Sequence, residues 1–144
     1  MYKSLTLLKS IKKNMQILEL IIEGGDNEIW GRVKYNKSFI VDIAETVNGI
    51  EAKLKTLLRD FEGVEPENIE FDLRYDVYAL FDQFDFLNIS KVAKHAGIHP
   101  GLLRQYASGV KNPSLTQAKK IEETLHRLAG EMQKASVYVA SSTL

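Results

Sequence analysis

The chain has 144 residues, 44% of them hydrophobic and 26% charged, and a formal net charge of zero. That composition is globular rather than disordered, and the length allows one ordinary domain or two small modules. There is no cysteine, which excludes disulfides, thiolate metal sites and thiol nucleophiles and fits a cytoplasmic location.

No apolar run reaches the roughly 18 residues that a membrane span requires. Residues 1–14 carry Lys3, Lys9, Lys12 and Lys13 around a short apolar patch, Leu5 to Leu8. The patch is too short for the core of a signal peptide. The segment reads as an N-terminal arm, compatible with a translation start upstream of Met15.

Charge is unevenly spread. Met15–Tyr75 holds seven Lys/Arg against thirteen Asp/Glu, and Phe86–Ser136 holds eight against three. An acidic front and a basic back point to different partners, a cationic protein for the first and phosphates for the second.

In chain order, Gln16–Glu23 is rich in β-formers and meets Gly24-Gly25-Asp26-Asn27, a hairpin turn signal. Glu28–Tyr35 follows as a second strand. After Asn36-Lys37-Ser38, Phe39, Val41 and Ile43 alternate with Ile40 and Asp42 as a third, completing an antiparallel meander. Thr46 then suits a helix N-cap, since its hydroxyl can accept from an unpaired first-turn amide. Val47, Ile50, Leu54, Leu57, Leu58 and Phe61 fall three and four apart, one apolar stripe that ends at Gly63 with Pro66 beyond. Asn68–Arg74 is a fourth strand with Ile69, Phe71 and Leu73 on one face. One helix on a four-stranded sheet is the smallest arrangement that buries such a stripe.

From Tyr75 the period changes to about 3.6 residues. Val77, Leu80, Phe81 and Phe84 predict a first helix. Asn88 or Ser90 caps a second, with Val92, Ala93 and Ala96, that stops at Gly97. His99-Pro100 starts a third, with Leu102, Leu103 and Tyr106 inward, ending at Gly109. Lys111-Asn112-Pro113-Ser114 leads into a long helix from Leu115 to about Ala135, with Ala118, Ile121, Leu125, Leu128 and Met132 inward. The expected divisions are an arm 1–14, a sheet domain 15–75, a helical domain 76–136 and a tail 137–144.

In the back half, Ala93 is small enough for two helices to approach, Gly97 suits a left-handed turn and Ile98 plugs the corner. Val92-Ala93-Lys94-His95-Ala96-Gly97-Ile98, Leu103, Gly109 and Asn112-Pro113-Ser114 together resemble the Cro and lambda-repressor type of helix-turn-helix, over about Asn88–Met132. The resemblance implies operator binding, with base readers on the outward start of the third helix: His99, Gly101, Arg104 and Gln105. It places Lys94, Lys111 and Asn112 at phosphates, and Asn88 and Ser90 at the start of the second helix near the backbone. Gln105 suits adenine, and Arg104 suits guanine or a phosphate. Pro100 and Gly101 depart from the family's usual polar residues.

The front half resembles the HicB family of antitoxins, through Leu18-Glu19-Leu20, the Gly24-Gly25-Asp26 turn, Gly31 and the helix opened by Thr46 and ending near Phe61, over about Met15–Tyr75. That implies an α+β fold: a truncated ribonuclease-H-like βββαβ sheet domain followed by an all-α helix-turn-helix domain. It further implies a HicA-like ribonuclease toxin as partner, autorepression of the operon, and a homodimer or larger homo-oligomer on a near-palindromic operator. A stand-alone regulator whose front domain oligomerises or senses a ligand is the alternative. A nucleic-acid enzyme is a third reading, with Glu19, Glu23, Asp42 and Asp72 as its conceivable carboxylate cluster. His95 and His99 are four apart, but Gly97 and Pro100 break the helix that would pair them, and His126 stands alone. No catalytic residue, metal or cofactor is expected.

Overall fold

The computed structural model describes residues 14–141. The arm, apart from Asn14, and the last three residues of the tail lie outside the described residues. The fold is α+β, and the chain divides between Gln83 and Phe84 into two compact units.

The first unit contains β1 (Gln16–Gly24), β2 (Ile29–Tyr35), β3 (Ser38–Ala44), α1 (Val47–Glu62), a 3-10 turn (Pro66–Asn68), β4 (Ile69–Tyr75) and α2 (Val77–Gln83). The sheet order is β3-β2-β1-β4. The first three strands form the expected antiparallel meander, with Leu20 opposite Val33 and Gly31 opposite Asp42. α1 carries the chain back across the sheet, so β4 joins β1 in parallel, with Leu20 beside Leu73.

Alternation assigns the faces. Leu20, Ile22, Ile29, Val33 and Ala44 are buried with Ile50 and Leu54 of α1, and Leu18, Ile40, Phe71 and Leu73 pack around them. Gly31 allows the close approach of α1, because a Cβ there would lie 2.4 Å from Ile50 Cγ1. The opposite face, with Trp30, Phe39 and Val41, is largely exposed.

Both ends of α1 are chemically defined. Thr46 Oγ1 accepts from the Gly49 amide at 3.0 Å. Gly63 adopts the left-handed conformation (φ 68°), and the Val64 amide donates to the Leu58 carbonyl at 3.3 Å. That wrap buries Val64 against Leu58 and Ile69. Val64 therefore takes the position beside Leu58 that the stripe assigned to Phe61, which is 77% exposed.

α2 was expected to begin the helical domain, but it belongs to the sheet unit. Asp76 fixes it there: its amide donates to the Ile22 carbonyl at 2.9 Å, and its carboxylate accepts from the Ala79 amide at 2.7 Å and the Gly24 amide at 3.3 Å. Ala79 is fully buried in the sheet core, and the Tyr78 ring lies over Gly24. The boundary thus falls after Gln83 rather than after Tyr75.

The second unit contains α3 (Ile89–Ala96), α4 (Pro100–Ala107) and α5 (Leu115–Gln133). Val92, Ala93, Ile98, Leu103, Tyr106 and Ile121 are its buried apolar residues. Ala118, Leu125 and Leu128 are half-buried as α5 leaves this core. Met132, expected inward, is 63% exposed. The reason is length: α3 and α4 are eight residues each, about 12 Å, whereas the nineteen residues of α5 span about 28 Å and outrun them.

Replacing Gly31 by Ala is expected to destabilise the chain by about 1–3 kcal/mol through overpacking against α1, read as a lower urea midpoint at unchanged slope. The double variant Gly31→Ala/Ile50→Ala should lose less than the sum of the two single changes, because it removes the clashing atom. Strict additivity would place the cost elsewhere than in this contact.

Candidate nucleic-acid interface

The geometry of the α3–α4 pair is set by three residues between the helices. Gly97 adopts φ 70°, and no atom would lie within 4 Å of a Cβ there, so its requirement is backbone conformation alone. The Ile98 amide returns to the Ala93 carbonyl at 2.9 Å, and Ile98 and Ala93 are both buried. His99 then caps α4: its Nδ1 accepts from the Gly101 amide at 3.1 Å, and Pro100 follows at the first helical position.

α4 buries Leu103 and Tyr106 and leaves Arg104, Gln105 and Ser108 exposed. Gly101 lies one turn before Arg104 and Gln105, and Ser108 one turn after, so the four share the outward stripe. Gly101 is half-covered, and a Cβ there would meet His99 Nδ1 at 3.2 Å. The glycine thus makes room for the capping ring, which explains the small residue at a position where a polar one was expected. His99 itself is exposed but spends one ring nitrogen on the cap.

The remaining sequence-predicted residues are placed as follows. Asn88, not Ser90, caps α3: its side chain accepts from the Lys91 amide at 3.0 Å. Ser90 instead accepts from Arg104 Nη1 at 2.8 Å, so the structure brings these two residues together across the helix pair. Lys94 is exposed on α3, and Lys111 and Asn112 are exposed in the loop before α5. That loop is shaped by Gly109 at φ 78°, by the Lys111 amide bonded to the Gln105 carbonyl at 3.2 Å, and by Ser114, whose hydroxyl caps α5 through the Gln117 amide at 3.2 Å.

Two features of this surface were not anticipated. Ser108 extends the outward stripe, and the three- and four-residue spacing from Gly101, Arg104 and Gln105 already contained it. Arg127 of α5 donates to the His95 carbonyl at 3.1 Å, placing a cation on the unpaired carbonyl end of α3. A contact 32 residues apart leaves no trace in local spacing.

No family model, curated protein or solved structure matches this chain at a significant level.

The front-half carboxylates do not converge. Glu19 and Asp72 are register partners on the exposed sheet face, where Arg74 reaches Asp72 at 2.9 Å and Glu19 at 3.8 Å. Glu23 pairs with Arg32 at 3.0 Å. Asp42 lies on the other face with Ile40 and Ala44, and its Oδ1 accepts from the Ile43 amide at 2.7 Å. Among the described residues, no group of three or more His, Asp or Glu is placed to hold a metal ion. No helix among them is long and apolar enough to cross a membrane.

Gly97→Ala should cost about 1–2 kcal/mol, the penalty of a Cβ in the left-handed region. Gly97→Asn should cost less, because asparagine tolerates that region better. Thermal unfolding of the two variants checks the order; equal loss in both would mean that space, not φ, sets the requirement.

Proposed function

We propose that the chain is an antitoxin of the HicB-like kind: its second unit binds operator DNA as an autorepressor, and its sheet unit covers a small basic ribonuclease toxin of the HicA type. One observation carries the DNA half. The Gly97–Ile98 turn seats α4 so that Leu103 and Tyr106 are buried while Arg104, Gln105 and Ser108 remain exposed on the opposite side. On this reading α3 and α4 are the two helices of a Cro-like helix-turn-helix, and α4 enters the major groove.

Gln105 is the base reader best suited to that docking. Its side chain is exposed and long enough for a bidentate contact with adenine. Lys94, Lys111 and Asn112 hold the flanking phosphates and fix the register without reading sequence. The basic balance of Phe86–Ser136 supplies the favourable long-range field.

For the front half, the order β-β-β-α-β with β4 beside β1 supports a truncated ribonuclease-H-like sheet. The dispersal of Glu19, Glu23, Asp42 and Asp72 over both faces, three of them matched to arginines or each other's register, favours a binding role over two-metal catalysis. The acidic balance of Met15–Tyr75 complements a cationic, RNA-binding partner. A two-fold homodimer would present two copies of α4 to a near-palindromic operator.

Mobility shifts on the promoter of the chain's own operon test the DNA half. Gln105→Ala should weaken operator binding by about 1–3 kcal/mol and relax the sequence preference. Lys111→Ala should weaken all duplexes alike and lower the salt slope by about 0.9. Normal binding by both variants would overturn the docking orientation. Co-expression tests the other half: a short basic reading frame beside this one should be toxic alone and harmless with this chain. Operator binding without such a neighbour would select a stand-alone regulator instead.

A further inference from the structure

We infer that Ser90 is a positioning residue that assigns Arg104 to the DNA backbone, leaving sequence discrimination on α4 to Gln105. The inference rests on the DNA-binding reading above and adds a division of labour between two neighbouring residues of that face.

Arg104 differs from every other arginine of the chain. Arg32, Arg59, Arg74 and Arg127 each lie within 4.0 Å of a carboxylate. Among the described residues Arg104 has no carboxylate within that distance, and its side-chain partner is a hydroxyl, Ser90 Oγ, at 2.8 Å. Its positive charge is therefore exposed and uncompensated. Such a charge is suited to an anion.

The direction of the side chain decides which anion-bearing group it meets. Arg104 is the fifth residue of α4, and Ser90 is the second of α3. A bond between them draws the guanidinium off the axis of α4 toward the first turn of α3. In a helix-turn-helix the first helix of the pair crosses the phosphate backbone and does not enter the groove. A guanidinium held there faces phosphate, not base edges.

The chemistry of the pair agrees with that placement. Guanidinium has five N–H donors in a fixed fork, so spending one on Ser90 leaves four, enough for a bidentate phosphate contact. The serine oxygen accepts from Arg104 and keeps its own hydrogen for the same phosphate. Ser90 also fixes one geometry for a side chain with high rotamer entropy, which lowers the ordering cost on binding. Gln105 carries no such restraint: its main-chain carbonyl accepts from the Ser108 hydroxyl and the Lys111 amide, and its exposed side chain is held by no comparable bond among the described residues.

The test uses the full chain and duplexes selected by it from a randomised pool, each compared with its single-base variants over a range of salt. Arg104→Ala should weaken selected and mismatched duplexes by the same factor and lower the salt slope by about 0.9, one phosphate contact. Ser90→Ala should weaken both sets alike by about 2- to 10-fold, the worth of one hydrogen bond, and Ser90→Thr should restore binding. Gln105→Ala should instead erase the preference at one base pair and keep the slope. Loss of a guanine preference in Arg104→Ala at an unchanged slope would overturn the assignment, as would wild-type affinity in Ser90→Ala. Failure of the wild-type chain to select any duplex would sink the DNA reading itself, a result distinct from either. Both residues are exposed, and circular dichroism of each variant confirms that the fold is retained.

Discussion

The bond from the Ile98 amide to the Ala93 carbonyl is the constraint on which the second unit depends. It forms only if the residue between turns left-handed, and Gly97 does so at no steric cost. Once formed, it buries Ile98 and fixes where α4 begins, with His99 capping and Pro100 already at a helical φ. Everything exposed on α4 follows from that start. Shifting the helix by one residue would rotate its stripe by about 100° and carry either Arg104 into the buried place of Leu103 or Gln105 into that of Tyr106.

The same device closes α1. Gly63 turns left-handed, the Val64 amide returns to Leu58, and the apolar residue after the glycine packs onto the helix it terminates. In both units a glycine thus does two things at once, ending a helix and supplying the next core residue. In the sheet unit the consequence is packing: Val64 and Ile69 seal the end of the α1–β4 layer. In the helical unit the consequence is presentation, because the element that follows the turn is anchored on one side only.

How far the sequence disclosed this structure depends on how local each cause is. Alternation and turn residues placed all four strands and α1, because period-two patterning and the Gly24–Asn27 and Asn36-Lys37 signals act within a few residues. The joint pattern Ala93, Gly97, Ile98 and Asn112-Pro113-Ser114 likewise marked α3, α4 and the start of α5. The error over α2 involves a contact distant in sequence, and those over Phe61 and Met132 lie at helix ends. α2 was assigned to the wrong unit because its periodicity is helical in either case, and only the reach of Asp76 to Gly24, 52 residues earlier, reveals its partner. Phe61 and Met132 continue apolar stripes whose outer ends find no packing partner among the described residues. For the candidate site, the outward residues of α4 were legible from spacing, but their connections were not. That Asn88 caps α3 while Ser90 holds Arg104 is settled by side-chain geometry, and both residues are adequate caps on paper.

Charge gives the last link between the two units. A net charge of zero would suggest indifference to polyanions, but screening makes the sum over the chain the wrong quantity. At physiological ionic strength the Debye length is about 8 Å, so a partner responds to the charge near its own docking surface. In the first unit the arginines are internally compensated: Arg32 with Glu23, Arg59 with Asp60, and Arg74 with Asp72. Among the described residues of the second unit, Arg127 is the one cation with a carboxylate partner, Glu131 at 4.0 Å, and it is also committed to the end of α3. Arg104, Lys94 and Lys111 carry no ion pair among the described residues and lie on the helix pair and the loop that follows it. Cations held without carboxylates leave their charge for a ligand, because no internal partner must be displaced when a phosphate arrives. The basic balance of the second unit is thus carried by available charge, and the pairs of the first, each one cation with one anion, leave its acidic excess equally available to a partner.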